Sequence, residues 1–237
     1  MKLTIFNGSP RRLKSNTKIL FDQFIKGFLE TPGNLVDVIY LMPARNCEDF
    51  QKAFADCDAA LLGFPLYTDA MPGIVKNFIE CLEIFKGRTG NPPIGFLVQS
   101  GFPEGGHSTY VEKYLAKLAK RLNSPYLGTI IKGGVEGIQI QPANMTRKLF
   151  DAFYRLGKIF GETGELDSKI IASLRKPLRY PAILIAVFWL LSKTNLLNFY
   201  WDDQLKKHGA YARRYSHPYD QPVDETHEVK DGSLDTQ

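Results

Sequence analysis

Hydrophobic positions along the chain fall into two alternating kinds of run. Short, nearly continuous apolar runs at 2–7, 35–41, 58–65, 94–100 and 126–132 read as buried strands. Between and after them, at about 16–30, 47–56, 73–86, 108–122 and 143–162, apolar residues recur every three to four positions, the mark of a helix with one buried face. In the first helical run Leu20, Phe24 and Phe28 stand at i, i+4 and i+8 with Ile25 and Leu29 beside them. In the fourth, Tyr110, Tyr114, Leu115, Leu118 and Leu122 form the same stripe. Five β-α units with right-handed crossovers predict a doubly wound parallel α/β sheet. No internal repeat or low-complexity tract interrupts them.

The connection between the first strand and the first helix, FNGSPRRLKSNT at 6–17, is made of anion-binding groups. Gly8 lets the backbone turn tightly. Ser9, Ser15, Asn16 and Thr17 offer side-chain donors beside free backbone N–H groups, and the helix starting near 15–17 turns its positive end to the same spot. Arg11, Arg12 and Lys14 add charge against a phosphate dianion, with Arg11 the chosen partner. The loop has neither the G-x-G-x-x-G of dinucleotide folds nor the G-K-[ST] of a triphosphate loop, so it disfavours pyrophosphate and ATP and suits one terminal phosphate, as in FMN. A basic, solvated turn with an ordinary N-cap is the alternative reading.

A second loop, PLYTDAMPG at 65–73, leaves the apolar run at 59–64 and enters the helix at about 74–85. It lies at a strand's carboxyl end, the rim of an open parallel sheet where ligands bind, and shares that rim with the first loop. Pro65 and Pro72 stiffen it, Pro72 suits the first turn of the next helix, and Leu66 and Tyr67 supply flat apolar surface for a planar ring.

The pair G-S-P-R-x-x-x-S-N-T and P-L-Y-x-D-x-M-P-G-x-x-K-N-F-I-E, in this order, resembles the flavodoxin-like NAD(P)H-dependent FMN reductase family, including its iron–sulfur flavoprotein relatives, over about residues 1–160. The resemblance implies a five-stranded sheet of order 2-1-3-4-5. It further implies FMN with its phosphate at Ser9, Arg11, Ser15, Asn16 and Thr17, and its isoalloxazine held by Pro65, Leu66, Tyr67 and the loop after the fourth strand, SGFPEGGH at 100–107, through Ser100 and Gly101. The implied activity is hydride transfer from NAD(P)H to FMN and on to a small-molecule acceptor such as a quinone, a nitro or azo compound or a free flavin, by a ping-pong mechanism in a homodimer. A flavodoxin-like FMN electron carrier and a non-catalytic FMN-binding module are the rival readings. The sequence departs from the iron–sulfur relatives, whose cysteine cluster lies between the second and third strands. Only Cys47 and Cys57 fall in that interval, too few for a four-cysteine cluster.

With Cys81 the thiols number three, and their spacing matches no zinc site. All three are expected to be reduced and mostly buried, as suits a cytosolic protein. Entry into a strand after Lys2 predicts no secretory signal and a cytoplasmic location. The net charge of +5 is spread along the chain without a nucleic-acid motif, so a solvated basic surface is expected and no nucleic-acid partner. That balance favours an enzyme with an anionic substrate such as NADPH over the usually acidic flavodoxin carriers. His107 is the candidate catalytic residue, donating a hydrogen bond to a flavin carbonyl or a proton to a reduced quinone or nitro substrate, with a solvated loop histidine as the plain alternative. Tyr67 reads as a ring-positioning residue, Asp69 and Glu104 as solvated carboxylates, and Gly133 with Gly134 as a tight turn. His208, His217 and His227 lack metal-ligand spacing and read as surface residues; no metal is expected.

The pattern changes after about Gly164. Residues 1–164 are expected to form the FMN-binding domain and 165–237 a mainly helical extension. The extension contains PAILIAVFWLL at 181–191, and eleven apolar residues fall short of the about 20 that span a bilayer. Three placements are open to this stretch: packed on its own domain or a dimer partner, which is favoured; lying at a membrane interface between Arg175, Lys176, Arg179 and Lys193; or closing as a lid over the flavin. The polar tail from Pro218 onward has too few apolar residues to pack tightly.

Overall fold

Five strands, β1 (Lys2–Asn7), β2 (Leu35–Tyr40), β3 (Ala59–Pro65), β4 (Ile94–Gln99) and β5 (Tyr126–Lys132), pair in parallel in the order β2-β1-β3-β4-β5. The computed structural model describes residues 1–42, 46–194 and 198–217. The chain divides into two compact units, Met1–Tyr180 and Pro181–Gln237. The sheet and the helices α1 (Asn16–Phe28), α2 (Cys47–Ala55), α3 (Gly73–Cys81), α4 (Thr109–Leu122), α5 (Ala143–Thr163) and α6 (Ser168–Leu174) make up the first. The predicted helix at 73–86 ends as α at Cys81 and continues as a 3₁₀ turn, Leu82–Phe85.

β3 is buried along its whole length, β4 likewise, whereas the edge strand β2 exposes Leu35. This is why the central strands read as unbroken apolar runs. Phe6, Phe64 and Phe96 point into one core with Phe50, Phe54, Phe78 and Leu115 of α2, α3 and α4. Ile5, Leu61 and Leu97 point into the other, with Phe21, Phe24 and Phe28 of α1 and Phe153 and Phe160 of α5. The alternation of strand side chains between two faces, each covered by helices, is the doubly wound architecture.

The first unit continues past the change in composition at Gly164 as far as Tyr180. Leu166 and Leu174 are buried in the second core, so α6 caps the β5 edge. Residues 175–180 then cross the loop after β4. Gly105 N–H donates to the Pro177 carbonyl at 2.8 Å, Gly106 N–H to that of Leu178 at 3.1 Å, and Tyr180 N–H to Glu104 Oε1 at 2.5 Å. Arg175 grips the Glu112 carboxylate with both terminal nitrogens. A Cβ on Gly105 or Gly106 would run into the carbonyl of Arg175 or Leu178, so only glycine allows the strap to lie this close.

The second unit contains α7 (Ala182–Ser192), α8 (Phe199–Lys207) and a 3₁₀ turn, Tyr211–Arg213. No residue of α7 is buried. No described helix is long and apolar enough to cross a membrane. The expectations for His227 and for the tail from Pro218 lie outside the described residues.

The cysteines correct the expectation of three reduced thiols. Cys47 and Cys81 form a disulfide with their Cα atoms 5.1 Å apart, within the usual span of such bonds. The start of α2 and the end of α3 bring them together across 34 positions of sequence, a proximity that spacing alone does not reveal. Cys57 is a free, buried thiol, and desolvation pushes it up to about 11. In the native, unreduced protein at pH 8, a thiol reagent such as iodoacetamide is therefore expected to label nothing. Brief reduction should expose two sites, Cys47 and Cys81, with Cys57 reacting only on unfolding. Two labelled cysteines before reduction would show that the bond is absent.

Candidate active site

β1 ends at Asn7, a fully buried residue whose Oδ1 accepts the Ser9 N–H at 3.0 Å and turns the chain into the loop. Gly8 bonds back to the Gly63 carbonyl of β3 at 2.7 Å, and a Cβ there would strike Val75 of α3. The loop is thus pressed onto the neighbouring strand and helix. Arg12 takes a left-handed φ of 49°, and the 3₁₀ turn Arg12–Lys14 carries the chain to Ser15. Ser15 caps α1, its Oγ accepting the Lys18 N–H at 3.1 Å. The first N–H groups of α1 have no carbonyl within the helix to bond, so this end is positively polarised and open to an anion.

At the same sheet edge, β3 runs into Pro65, Leu66 and Tyr67. Tyr67 and Ala70 exchange two backbone hydrogen bonds, Tyr67 N–H to the Ala70 carbonyl at 2.8 Å and Ala70 N–H to the Tyr67 carbonyl at 3.0 Å. Thr68 and Asp69 between them have φ of 48° and 60°, left-handed values that a β-branched threonine adopts only under constraint. Tyr67 is held at 47% exposure, at the rim rather than in the core. Next to it, β4 ends at Gln99, whose Nε2 donates to Thr17 Oγ1 at 3.3 Å, and the chain continues into Ser100 and Gly101.

These segments enclose one narrow cleft lined by Ser9, Arg11, Asn16, Pro65, Leu66, Tyr67, Gln99, Ser100, Gly101 and Glu136, with a volume of about 80 Å³. Eight of the ten residues expected for phosphate and ring stand in its lining. The other two, Ser15 and Thr17, are fully buried in the first turn of α1 just behind it. Asn16 is placed differently from a free phosphate donor. Its Nδ2 donates to the Val135 carbonyl at 2.9 Å and its Oδ1 accepts from Gln139 at 3.0 Å, tying α1 to the segment after β5. What Asn16 can still offer an anion is its backbone N–H.

His107 does not line the cleft. Its ring stacks near Phe102 at 5.0 Å, with Nδ1 3.5 Å from Asp69 and Nε2 3.5 Å from Glu104. It therefore bridges the loop after β3 and the loop after β4. Asp69 and Glu104 are accordingly partners of His107, and Glu104 also accepts the Tyr180 N–H. Gln99 and Glu136 were not anticipated. Gln99 had a signal, a polar residue closing an otherwise apolar strand; Glu136 had none beyond its position after Gly133 and Gly134. That glycine pair is more than a turn: a Cβ on Gly133 would meet the Phe102 carbonyl at 2.5 Å, and Gly134 N–H donates to the same carbonyl at 2.9 Å. Gly134 itself has φ of 70°, a conformation that favours glycine. Lys132, at the end of β5, has its amine held below the ordinary lysine range by burial.

The donor set at one end of the cleft is that of a phosphate site: the Ser9 hydroxyl, the exposed Arg11 guanidinium and a helix N-terminus. Asn7 Nδ2, buried beside it, has no acceptor among the described residues. The cleft is far smaller than the several hundred Å³ that enclose a whole cofactor, so a planar ring against Pro65, Leu66 and Tyr67 would keep one side open. The residues present fit FMN. Among the described residues no group of His, Cys, Asp and Glu could hold a metal ion.

Solved structures that share the fold include three oxidoreductases. One is an NADPH-quinone reductase from P. pentosaceus, 19% identical with a TM-score of 0.52, covering 65% of this chain and 96% of its own. An FMN-dependent NADH-azoreductase from Bacillus anthracis, in complex with FMN, is 13% identical with a TM-score of 0.54, covering 68% and 100%. An NAD(P)H:quinone oxidoreductase from Methanothermobacter marburgensis is 16% identical with a TM-score of 0.54, covering 68% and 96%. No curated protein sequence matches the chain. Residues 1–112, which include β1 to β4 and three of the cleft's four walls, match the sequence profile of NADPH-dependent FMN reductases. The chain thus has the fold of these reductases, and its residues 1–112 are similar in sequence to NADPH-dependent FMN reductases.

Proposed function

We propose that the protein is an FMN-dependent NAD(P)H oxidoreductase that passes reducing equivalents to a small-molecule acceptor of the quinone, nitro, azo or flavin kind. The observation that carries this reading is the convergence, at one sheet edge, of an anion cradle and a flat apolar wall. FMN, when bound, supplies the hydride chemistry. Ser9, Arg11 and the first N–H groups of α1 hold the phosphate, and Pro65, Leu66, Tyr67, Ser100 and Gly101 orient the ring. Gln99 and Thr17 brace the wall between them. No covalent nucleophile is required. His107 acts in this reading as a tie between the two ring-side loops. The quinone and azo reductases of the same fold support the acceptor class, and a donor and an acceptor that take turns at one exposed ring face would give ping-pong kinetics.

The test is an anaerobic absorbance spectrum of the protein reconstituted with FMN, before and after one equivalent of NADPH and then of NADH. Bleaching of the flavin band at catalytic rates is expected, followed by parallel-line initial-rate plots with a quinone. A flavin that stays oxidised with both nicotinamides would assign the protein to the carriers or binding modules instead.

A further inference from the structure

α7 is apolar on every side. Successive helical positions advance by about 100°, so Ile183, Ile185, Val187, Phe188, Trp189 and Leu190 are distributed around its whole circumference. All six are exposed, from 41% at Phe188 to 75% at Ile183. A helix laid against a second copy of the chain keeps one side in water and carries polar residues there. α7 has no such side. A helix sunk among lipid tails meets apolar surroundings in every direction, and its backbone groups are already bonded within the helix.

The surroundings of α7 in the chain match a membrane surface in charge and in side-chain type. Residues 181–217 hold Lys193, Lys206, Lys207, Arg213 and Arg214 against Asp202 and Asp203, a positive excess suited to anionic headgroups. Trp189, Trp201 and Tyr215 are 63%, 63% and 72% exposed, and rings of this kind favour the headgroup level. Cations already sit over two of these rings, Lys193 over Trp189 at 4.9 Å and Arg214 over Tyr215 at 4.7 Å. Eleven residues make a helix about 16 Å long, roughly half of the hydrocarbon thickness. Such a helix enters one leaflet and does not cross.

We propose that the Pro181–His217 segment docks the protein on an anionic lipid surface, with α7 buried in one leaflet and the basic residues of α8 and the following turn at the headgroups. This assignment stands apart from the flavin reading, since it uses no residue of the cleft. The experiment is co-sedimentation of the full chain with vesicles of phosphatidylcholine alone and of phosphatidylcholine with phosphatidylserine. Pelleting with the anionic vesicles at low salt, lost as ionic strength rises, is expected, together with a blue shift of tryptophan emission. Ile185→Glu combined with Trp189→Glu should abolish pelleting. Lys206→Glu combined with Lys207→Glu should weaken it by roughly tenfold or more. Both pairs lie at exposed positions of the second unit, and unchanged far-UV circular dichroism would show that the fold is kept. A full chain that stays in the supernatant with anionic vesicles at low salt overturns the proposal. So does a dimer in sedimentation velocity that the α7 pair dissolves without any vesicle binding, which would give this surface to a second copy.

Discussion

Gly157→Val is expected to leave little folded protein, and Gly157→Ala to lower stability by about 3 kcal/mol or more. On propensity alone the sign should be the opposite, since alanine in a helix interior gains about 1 kcal/mol over glycine. Packing decides the matter. A Cβ at Gly157 of α5 would occupy the space of the Phe24 carbonyl in α1, and one at Gly27 of α1 that of the Tyr154 carbonyl in α5. The obstacle in each case is backbone, which cannot swing aside as a side-chain end does. The two helices are also fixed in register by Asn34, whose Nδ2 donates to the carbonyls of Phe28 at 3.0 Å and Gly161 at 3.1 Å. Moving them apart would open the core around Phe24, Phe28 and Phe160. Urea denaturation measures the effect, with Gly73→Ala as the control, because nothing lies within 4 Å of a Cβ at Gly73. Equal midpoints for the two alanine variants would refute this account of the contact between α1 and α5.

The second large effect is expected at the cleft. Arg11→Glu should weaken FMN binding by roughly 100-fold or more while leaving the melting temperature of the flavin-free protein unchanged. Arg11 lines the cleft and is exposed, so its removal costs the fold little. A hydrogen bond to a charged group contributes about 1.5–3 kcal/mol, and each 1.4 kcal/mol is tenfold in affinity. Reversing the charge adds repulsion against a phosphate dianion at the helix end. The discriminating ligand is riboflavin, which has the ring without the phosphate. Fluorescence titrations should show a large loss for FMN and almost none for riboflavin. A similar loss for both would mean that Arg11 meets the ring and that the phosphate end of the cleft has been placed wrongly.

Much of this was legible in the sequence because it rests on local rules. The buried strands appeared as unbroken apolar runs, and α1 and α4 as stripes of period 3.6. The start of α1 was marked by Ser15, whose hydroxyl does cap the helix. The two loops could be read as one site because parallel strands in a doubly wound sheet deliver their carboxyl ends to a common edge. What could not be read was pairing across long separations. Nothing near Asn16 distinguishes a side chain aimed at an anion from one tied to Val135, 119 positions away. Glu136 reaches the cleft only because the segment after β5 passes against Phe102 and Pro103. Cys47 and Cys81 meet because α2 and α3 pack side by side, and the change in composition at Gly164 gave no hint that 165–180 would complete the first unit.

By itself, then, the amino-acid sequence determined the succession of strands and helices, the gathering of hydroxyl and basic side chains in the loop at 6–17 and the apolar wall at 65–67, since each depends on hydrophobic period, capping and turn chemistry within a few neighbouring residues. Only the tertiary structure decided which of those groups face the cleft and which are spent holding it together. Hydrogen bonds and close backbone contacts between distant segments use up donors such as those of Asn16 and Gln99 and demand glycine at positions 105, 133 and 157, and no local pattern encodes where a distant partner will lie.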